Sequence, residues 1–168
     1  MNLIKNSHCS YCGNRFAFDA WPRHCTECQT TTWQNPIPAI LVLVPVDGSL
    51  LLVRRAIAPH IGELALAGGF MDVGETWQEG GARELFEETG IKIDPSSLYY
   101  VDISTSEAGN LLIFCATPNI PSNTIKFVPN SEVSEIAFTD KPIELAFPTH
   151  TEYVARFLER MKNERSEG

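Results

Sequence analysis

No run of apolar residues in this 168-residue chain approaches the roughly 18–20 that a helix needs to cross a bilayer, which excludes a spanning helix. The opening segment, residues 1–6, lacks the apolar core of a secretory signal. Positive charge is also scarce. Lys and Arg number 13 against 21 Asp and Glu, and the net charge of −8 works against non-specific attraction to nucleic acid or to an anionic membrane surface. No internal repeat or low-complexity tract is present. What is present is a chain with 43% apolar residues, too many for disorder and enough for one ordinary core plus a small appended unit. A soluble, cytoplasmic protein is expected.

Cysteine is confined to five positions, and four of them are paired by spacing. Cys9-x2-Cys12 and Cys25-x2-Cys28, twelve residues apart, have close to the spacing of a four-thiolate zinc ribbon. Gly13, directly after Cys12, supplies the permissive backbone of a metal knuckle. Two disulfides would need an oxidising compartment, and iron in a similar cage is the rival metal. His8 and His24 flank the ligands, but four cysteines already complete a tetrahedral set. Four thiolates leave no open coordination position, so the zinc is expected to be structural and the ribbon to shape a substrate pocket or a homodimer interface. Phe16, Phe18 and Trp33 are expected to pack within the ribbon rather than stack on a base. Cys115, inside the apolar run 111–116, reads as a buried residue.

Residues 69–91, GFMDVGETWQEGGARELFEETGI, crowd carboxylates into one place. Thr76 with Glu79 forms a capping-box pattern that opens a helix, and Gly90 is placed to end it. On that helix Glu84, Glu87 and Glu88 share a face, where like charges repel. A solvated acidic face is the ordinary explanation for such a trio. A divalent cation would resolve the repulsion, and carboxylate oxygens with open positions suit Mg²⁺ or Mn²⁺, which retain waters and take phosphate oxygens from a substrate. Gly68 and Gly69, after the apolar run 64–67, allow a turn in which backbone comes close to a ligand. Gly80 and Gly81 each cost a helix about 1 kcal/mol relative to Ala and so call for close packing on a neighbouring backbone.

These residues together resemble the Nudix box: Gly69, five residues, Glu75, seven residues, then Arg83, Glu84, Leu85, Glu87, Glu88, Gly90 and Ile91, with all nine specified positions matching. The resemblance implies an α/β fold in which a mixed sheet is sandwiched between helices, here with a zinc ribbon added in front. It also implies a pyrophosphatase in which Glu84, Glu87 and Glu88, with the Gly69 carbonyl, hold Mg²⁺ or Mn²⁺. Arg83 and Glu75 would orient the carboxylates. The base is left open among Glu87, Glu88, Glu107 and Glu135. Arg54 and Arg55 are candidate phosphate contacts.

A ribbon joined to a Nudix domain through an Asn-Pro linker is similar to the NADH pyrophosphatase group and its shorter relatives acting on FAD or ADP-ribose. The downstream Ser-Gln-Pro-Trp-type signature of the NADH-specific members is missing, which weakens the case for NADH. The expected substrate is a dinucleotide or another nucleoside diphosphate derivative. The alternatives are a nucleotide-binding regulator with an inactive box, and a hydrolase of RNA 5′ caps; the acidic balance makes nucleic acid the less favoured partner. The expected organisation is a ribbon over 1–33, a stiff linker over 34–38, a Nudix domain over 39–162 and a frayed tail over 163–168. Within the domain, strands are expected at 39–44, 50–55, 98–104, 110–117 and 132–138, with a hairpin turn at Asp47-Gly48, a loop at 118–129 and a closing helix at 148–162.

Overall fold

The computed structural model describes residues 5–17 and 20–166. The chain divides into two units, the first ending at Pro36 and the second beginning at Ile37. Met1–Ile4, Phe18, Asp19, Glu167 and Gly168 lie outside the described residues, so the expectations for the leader, for Phe18 and for the last two tail residues are not addressed.

Two similar knuckles build the first unit. At one, the Gly13 N–H donates to the Cys9 carbonyl (2.9 Å) and the Cys9 N–H to that of Asn14 (2.8 Å); at the other, Gln29 donates to Cys25 (3.0 Å) and Cys25 to Thr30 (2.9 Å). Each closes through a positive φ, 76° at Gly13 and 59° at Gln29. Glycine adopts that conformation freely. Gln29 has no such freedom, and its side-chain amide donates to the Thr26 carbonyl (2.7 Å). Strands β1 (Arg23–His24) and β2 (Thr31–Thr32) pair antiparallel around the second knuckle. Phe16 and Trp21 meet edge to face at 6.5 Å, with the Arg23 guanidinium 4.3 Å from the Trp21 ring centre. Phe16 therefore packs as expected. Trp33 does not, being 65% exposed.

In the second unit the apolar run after the linker forms β3 (Pro38–Leu43). The chain then kinks at Pro45 into β4 (Pro45–Val46), turns at Asp47 (φ 46°) and Gly48 (φ 96°), and returns as β5 (Ser49–Arg55). Positive φ at both turn residues matches the twist of a two-residue hairpin. The expected hairpin is thus present, but the return strand pairs with β4, not β3, because Pro45 carries the chain from one sheet into another. Short strands β6 (Leu64–Ala65) and β7 (Ala67–Phe70) follow where a turn was expected. Helix α1 spans Trp77–Thr89, then come β8 (Tyr99–Thr105), β9 (Leu111–Ala116), β10 (Val133–Thr139) and helix α2 (Pro148–Ser166). The closing helix runs four residues past its expected end, absorbing most of the anticipated tail; an Arg160–Glu164 pair (2.8 Å) one turn apart supports that extension.

One sheet has the order β7-β3-β9-β8, with β3 and β9 parallel and the outer pairs antiparallel. The other has β10-β5-β4, with β6 also on β5. Strand β3 is buried on both faces, which explains its unbroken apolar sequence. Ala39, Leu41 and Leu43 join a core with Phe114 and the α2 residues Tyr153, Val154, Phe157 and Leu158. Ile40, Val42 and Val44 join another with Leu85 of α1 and Cys115. The period-2 alternation of a strand thus separates an α2 side from an α1 side. This is the helix-flanked mixed sheet that the resemblance implied. Cys115 is fully buried; burial pushes its thiol up to about 12, and it donates to the Leu41 carbonyl.

Gly68 sets the approach of β7 to β3. A side chain there would run into the Ile40 carbonyl oxygen, and its φ of 143° is one that other residues avoid. Gly68→Ala is therefore expected to destabilise the fold by about 1–3 kcal/mol or more. Urea unfolding of the variant beside the parent protein measures this directly.

Candidate active site

Helix α1 begins at Thr76, whose hydroxyl accepts from the Glu79 amide while the Glu79 carboxylate accepts from the Thr76 amide. It ends at Gly90 (φ 75°), whose N–H donates to the Phe86 carbonyl (2.8 Å). Both ends obey their sequence signals. The helix lies against β7, and glycines make the fit. A Cβ on Gly69 would fall 2.5–2.6 Å from the Glu84 carboxylate atoms. On Gly81 it would meet Leu98 at 2.9 Å and Ile40 at 3.2 Å, and on Gly80 a Glu75 oxygen at 2.8 Å. The helix glycines thus accommodate side chains, whereas the sequence suggested a neighbouring backbone.

Arg83 is the hub of this junction. Its guanidinium donates to both Glu75 oxygens (3.1 and 2.8 Å), to Glu84 Oε1 (2.8 Å), to Glu87 Oε2 (3.2 Å) and to the Phe70 carbonyl (3.0 Å). The shortest of these bonds run to Glu75 and Glu84, with Glu87, one turn along the helix, bound more loosely. Glu75 also accepts from the Asp72 amide (2.7 Å), tying the 71–76 loop to the helix. Bonds from Arg83 hold the Glu75 carboxyl below its ordinary range, and Glu75 in turn raises the Arg83 value.

Glu84 and Glu88 point inward and are about nine-tenths buried. Burial raises the Glu84 carboxyl, against the opposing Arg83 bond, and repulsion from Glu87 and Glu132 adds to the rise. Burial pushes Glu88 up to about 8; the Gly68 N–H (2.9 Å) and the Arg55 charge resist, while Glu84 and Glu132 reinforce it. Glu87 is more than half exposed. The three carboxylates share a side of the helix without closing into a cage: Glu84 and Glu87 are drawn onto Arg83 and Glu88 onto Gly68. Such an arrangement suits an octahedral cation that keeps waters and takes substrate oxygens.

Glu132, an exposed residue that sequence reasoning did not single out, is also drawn to this end of the helix. Asn130, ahead of β10, donates to the Glu87 and Glu88 carbonyls (3.1 and 3.2 Å) and accepts from the Glu132 and Val133 amides (2.9 Å each). This clamp ties the start of β10 to the end of α1 and brings the Glu132 charge to bear on Glu84 and Glu88. An Asx turn was the available signal, since Asn bonds backbone two residues on. The other outlying candidates sit elsewhere. Glu135 is bound to Arg54 (2.6 Å), and Glu107 is exposed at the turn between β8 and β9.

The two arginines of β5 part company, as neighbours on a strand do. Arg54 is engaged by Glu135 and by the Gly62 carbonyl (2.9 Å). Arg55 donates to the Pro59 carbonyl, lies 5.2 Å from the Phe147 ring centre and acts electrostatically on Glu88. It also acts on His150, which is buried, accepts the Leu66 N–H at Nδ1 (3.1 Å) and is driven down to about 3, chiefly by burial. His150 is therefore neutral.

In the first unit the sulfurs of Cys9, Cys12, Cys25 and Cys28 all lie within 4.8 Å of one another, the one such cluster of metal-ligating atoms among the described residues. Two pairs, Cys9–Cys28 and Cys12–Cys25, stand 3.6 Å apart, near the roughly 3.8 Å edge of a tetrahedron with 2.3 Å Zn–S bonds. All four are free thiols. Backbone N–H groups of Cys12 and Tyr11 lower the Cys9 thiol to about 6 and Thr30 lowers Cys28, whereas, against the Asn14 N–H, the neighbouring sulfurs and burial push Cys12 up to about 12, so without a metal the protons are shared unevenly among the sulfurs. The His8 ring bonds Ser7, and the His24 ring bonds Gln29 and Thr31, so neither joins the cluster.

Fold and junction together define an α/β sandwich with a carboxylate-bearing helix seated on a glycine strand. Residues 35–161 match the family model described as NUDIX domain, and the chain belongs to the Nudix family. A stretch of 98 residues is 34% identical to an NAD-capped RNA hydrolase NudC from Shigella flexneri, covering 57% of this chain but only 37% of that protein. The fold is similar to a NUDIX hydrolase from Nitrosomonas europaea (TM-score 0.70, 24% identity, 96% of this chain and 93% of that one). It is also similar to the NUDIX domain of Shewanella oneidensis NrtR, solved with ADP ribose (TM-score 0.61, 18% identity, 79% and 90%).

Two outcomes follow from this geometry. Gly69→Ala should leave stability within roughly 1 kcal/mol, since the flexible Glu84 carboxylate can give way. It should nevertheless weaken Mn²⁺ binding, read by paramagnetic resonance, because Glu84 must move. Elemental analysis of the purified chain should find one tightly held zinc, and Cys25→Ser should release it and unfold the first unit; metal-free protein with an intact first unit would contradict this.

Proposed function

We propose that the second unit hydrolyses the pyrophosphate of a nucleoside diphosphate joined to another moiety, of the FAD, NAD(H) or ADP-ribose type. The observation that carries this reading is the pair of buried carboxylates, Glu84 and Glu88, set against glycine backbone and destabilised in their ionised form by burial and mutual repulsion. Carboxylates so placed gain most from a divalent cation. Glu84, Glu87 and Glu88, with the Gly69 carbonyl, would hold Mg²⁺ or Mn²⁺. Bound there, the cation would neutralise charge on pyrophosphate oxygens and lower the pKa of an attacking water.

The remaining roles belong to side chains of this chain. Arg83 and Glu75 are positioning residues: their mutual bonds occupy the guanidinium, so Arg83 aims Glu84 and Glu87 rather than touching substrate. Arg55 is the better phosphate contact of the two strand arginines, because its charge reaches Glu88 whereas Arg54 is held by Glu135. Glu132 is assigned as the group that takes the proton from the attacking water, because the Asn130 clamp holds the backbone of this exposed carboxylate, which lies outside the helix, beside the Glu87–Glu88 end of α1.

The names of the NudC relatives favour a second reading, in which the same pyrophosphate lies in an NAD cap on RNA. The net charge of −8 supplies little attraction for the rest of an RNA chain, so a small dinucleotide is preferred. A nucleotide-binding regulator with an inactive box requires only binding; a full set of box carboxylates favours turnover.

Values of kcat/KM for FAD, NADH, ADP-ribose, NAD-capped RNA and dGTP, each with Mg²⁺ and with Mn²⁺, test the reading. The first three should exceed dGTP, and a clear preference for the triphosphate would overturn it. Glu84→Gln and Glu88→Gln should each lower kcat by orders of magnitude with the fold retained. Glu132→Gln should lower kcat by about 10²–10⁴ with KM nearly unchanged.

A further inference from the structure

Leu66, just ahead of β7, and Gly68 within it each give their N–H to a buried side chain. Leu66 donates to His150 Nδ1 (3.1 Å) and Gly68 to the Glu88 carboxylate (2.9 Å). On an extended chain, N–H groups two residues apart point to the same side and stand roughly 6–7 Å from one another. The His150 ring and the Glu88 carboxylate therefore lie in sequence along the outer edge of β7, the terminal strand of its sheet. Arg55 is close enough to both for its charge to act on each. A further bond, from the Ala146 N–H to the Leu64 carbonyl (2.8 Å), ties the segment carrying Phe147 and His150 to the same stretch of chain.

His150 holds one bonding group in reserve. A neutral imidazole carries a single ring proton, and an Nδ1 that accepts the Leu66 N–H leaves that proton on Nε2. Among the described residues Nε2 has no protein partner, yet it is not one of the atoms sealed from solvent, although the residue as a whole is only 6% exposed. The ring thus presents one N–H outward while packing and the Leu66 bond fix its direction. A side chain needed only to accept from Leu66 would not have to bring a second polar atom to the surface. The surroundings narrow what completes the bond. Phe147 lies 4.8 Å from the His150 ring, with His60 (5.0 Å) and the Arg55 guanidinium (5.2 Å) packed on it. An uncharged donor among aromatic side chains suits the polar edge of a flat ring.

We propose that His150 sets specificity in the hydrolase: a pyrophosphate held at Glu84 and Glu88 directs a heteroaromatic part of the substrate along the edge of β7, where the Nε2–H donates to a ring nitrogen or carbonyl oxygen. This rests on the hydrolase reading for the place of the pyrophosphate. Adenine and the flavin or nicotinamide of the other half all carry such acceptors, and a comparison of substrates separates the two sources.

His150→Asn keeps an acceptor for the Leu66 N–H and removes the outward donor. Its KM should rise about three- to tenfold with kcat nearly unchanged, since the lost bond holds ground state and transition state alike. An equal rise for FAD, NADH and ADP-ribose identifies the adenine they share; a rise for FAD and NADH alone identifies the ring of the other half. Unchanged KM for all three, or a fall in kcat with KM unchanged, would overturn the proposal. A second measurement does not depend on how the variant folds. In the full chain carrying isotope-labelled histidine, FAD and ADP-ribose added at millimolar concentration without divalent cation should move the Nε2 signal of His150 while its Nδ1 signal stays near its starting position. Turnover of the three substrates with a His150 signal that none of them moves overturns this inference alone, whereas absence of turnover overturns the hydrolase reading and this inference with it.

Discussion

The close seating of α1 on β7 is the constraint on which the rest of this structure depends. Four glycines shape this junction: Gly69 lets the Glu84 carboxylate of α1 lie on β7, Gly68 brings β7 onto the Ile40 carbonyl of β3, Gly80 makes room for Glu75, and Gly81 lets α1 close on Leu98 and Ile40. Glycine inside a helix and inside a strand is locally unfavourable. The offset is that two buried carboxylates reach the strand backbone, one of them accepting its N–H. A helix of ordinary composition would stand farther away, and its glutamates would be solvated.

Seating acidic side chains so deeply creates a repulsion that the protein contains with one cation. Arg83 binds Glu75, Glu84 and Glu87 together and also the Phe70 carbonyl, so helix, loop and strand share a single guanidinium. Its planar fork suits this, because several donors reach separate acceptors without rearrangement. Glu88 receives no such help beyond one backbone N–H and the field of Arg55. The site is therefore balanced for structure and still deficient in positive charge, which is the condition in which a divalent cation and a phosphate-bearing ligand are favoured together.

The two faces of the central sheet divide the labour. On the α1 side, charge is concentrated and buried. On the α2 side, Phe114 stacks on Tyr153 at 3.6 Å, Tyr153 donates to Asp102, and the apolar stripe of α2 closes the core.

Local chemistry was legible in the chain because it depends on neighbours in sequence. The knuckle spacing of Cys9, Cys12, Cys25 and Cys28, the caps of α1 at Thr76 and Gly90, the Asp47-Gly48 turn and the carboxylate pattern of Glu84, Glu87 and Glu88 are all short-range signals, and each element appears where they put it. Strand pairing was not legible in the same way. Nothing near Pro45 says that the strand after it joins a different sheet, and the short strands β6 and β7 carry too few residues to show an alternation. The arrival of Glu132 through the Asn130 clamp and the capture of Arg54 by Glu135, which separates it from Arg55, join residues far apart in the chain, and which carboxylates Arg83 takes up depends on how α1 seats on β7. The sequence by itself determined which groups could do chemistry and on which elements they ride. Only the tertiary structure decided which of them meet, because burial and the direction of a side chain are set by packing between elements that the sequence does not place side by side.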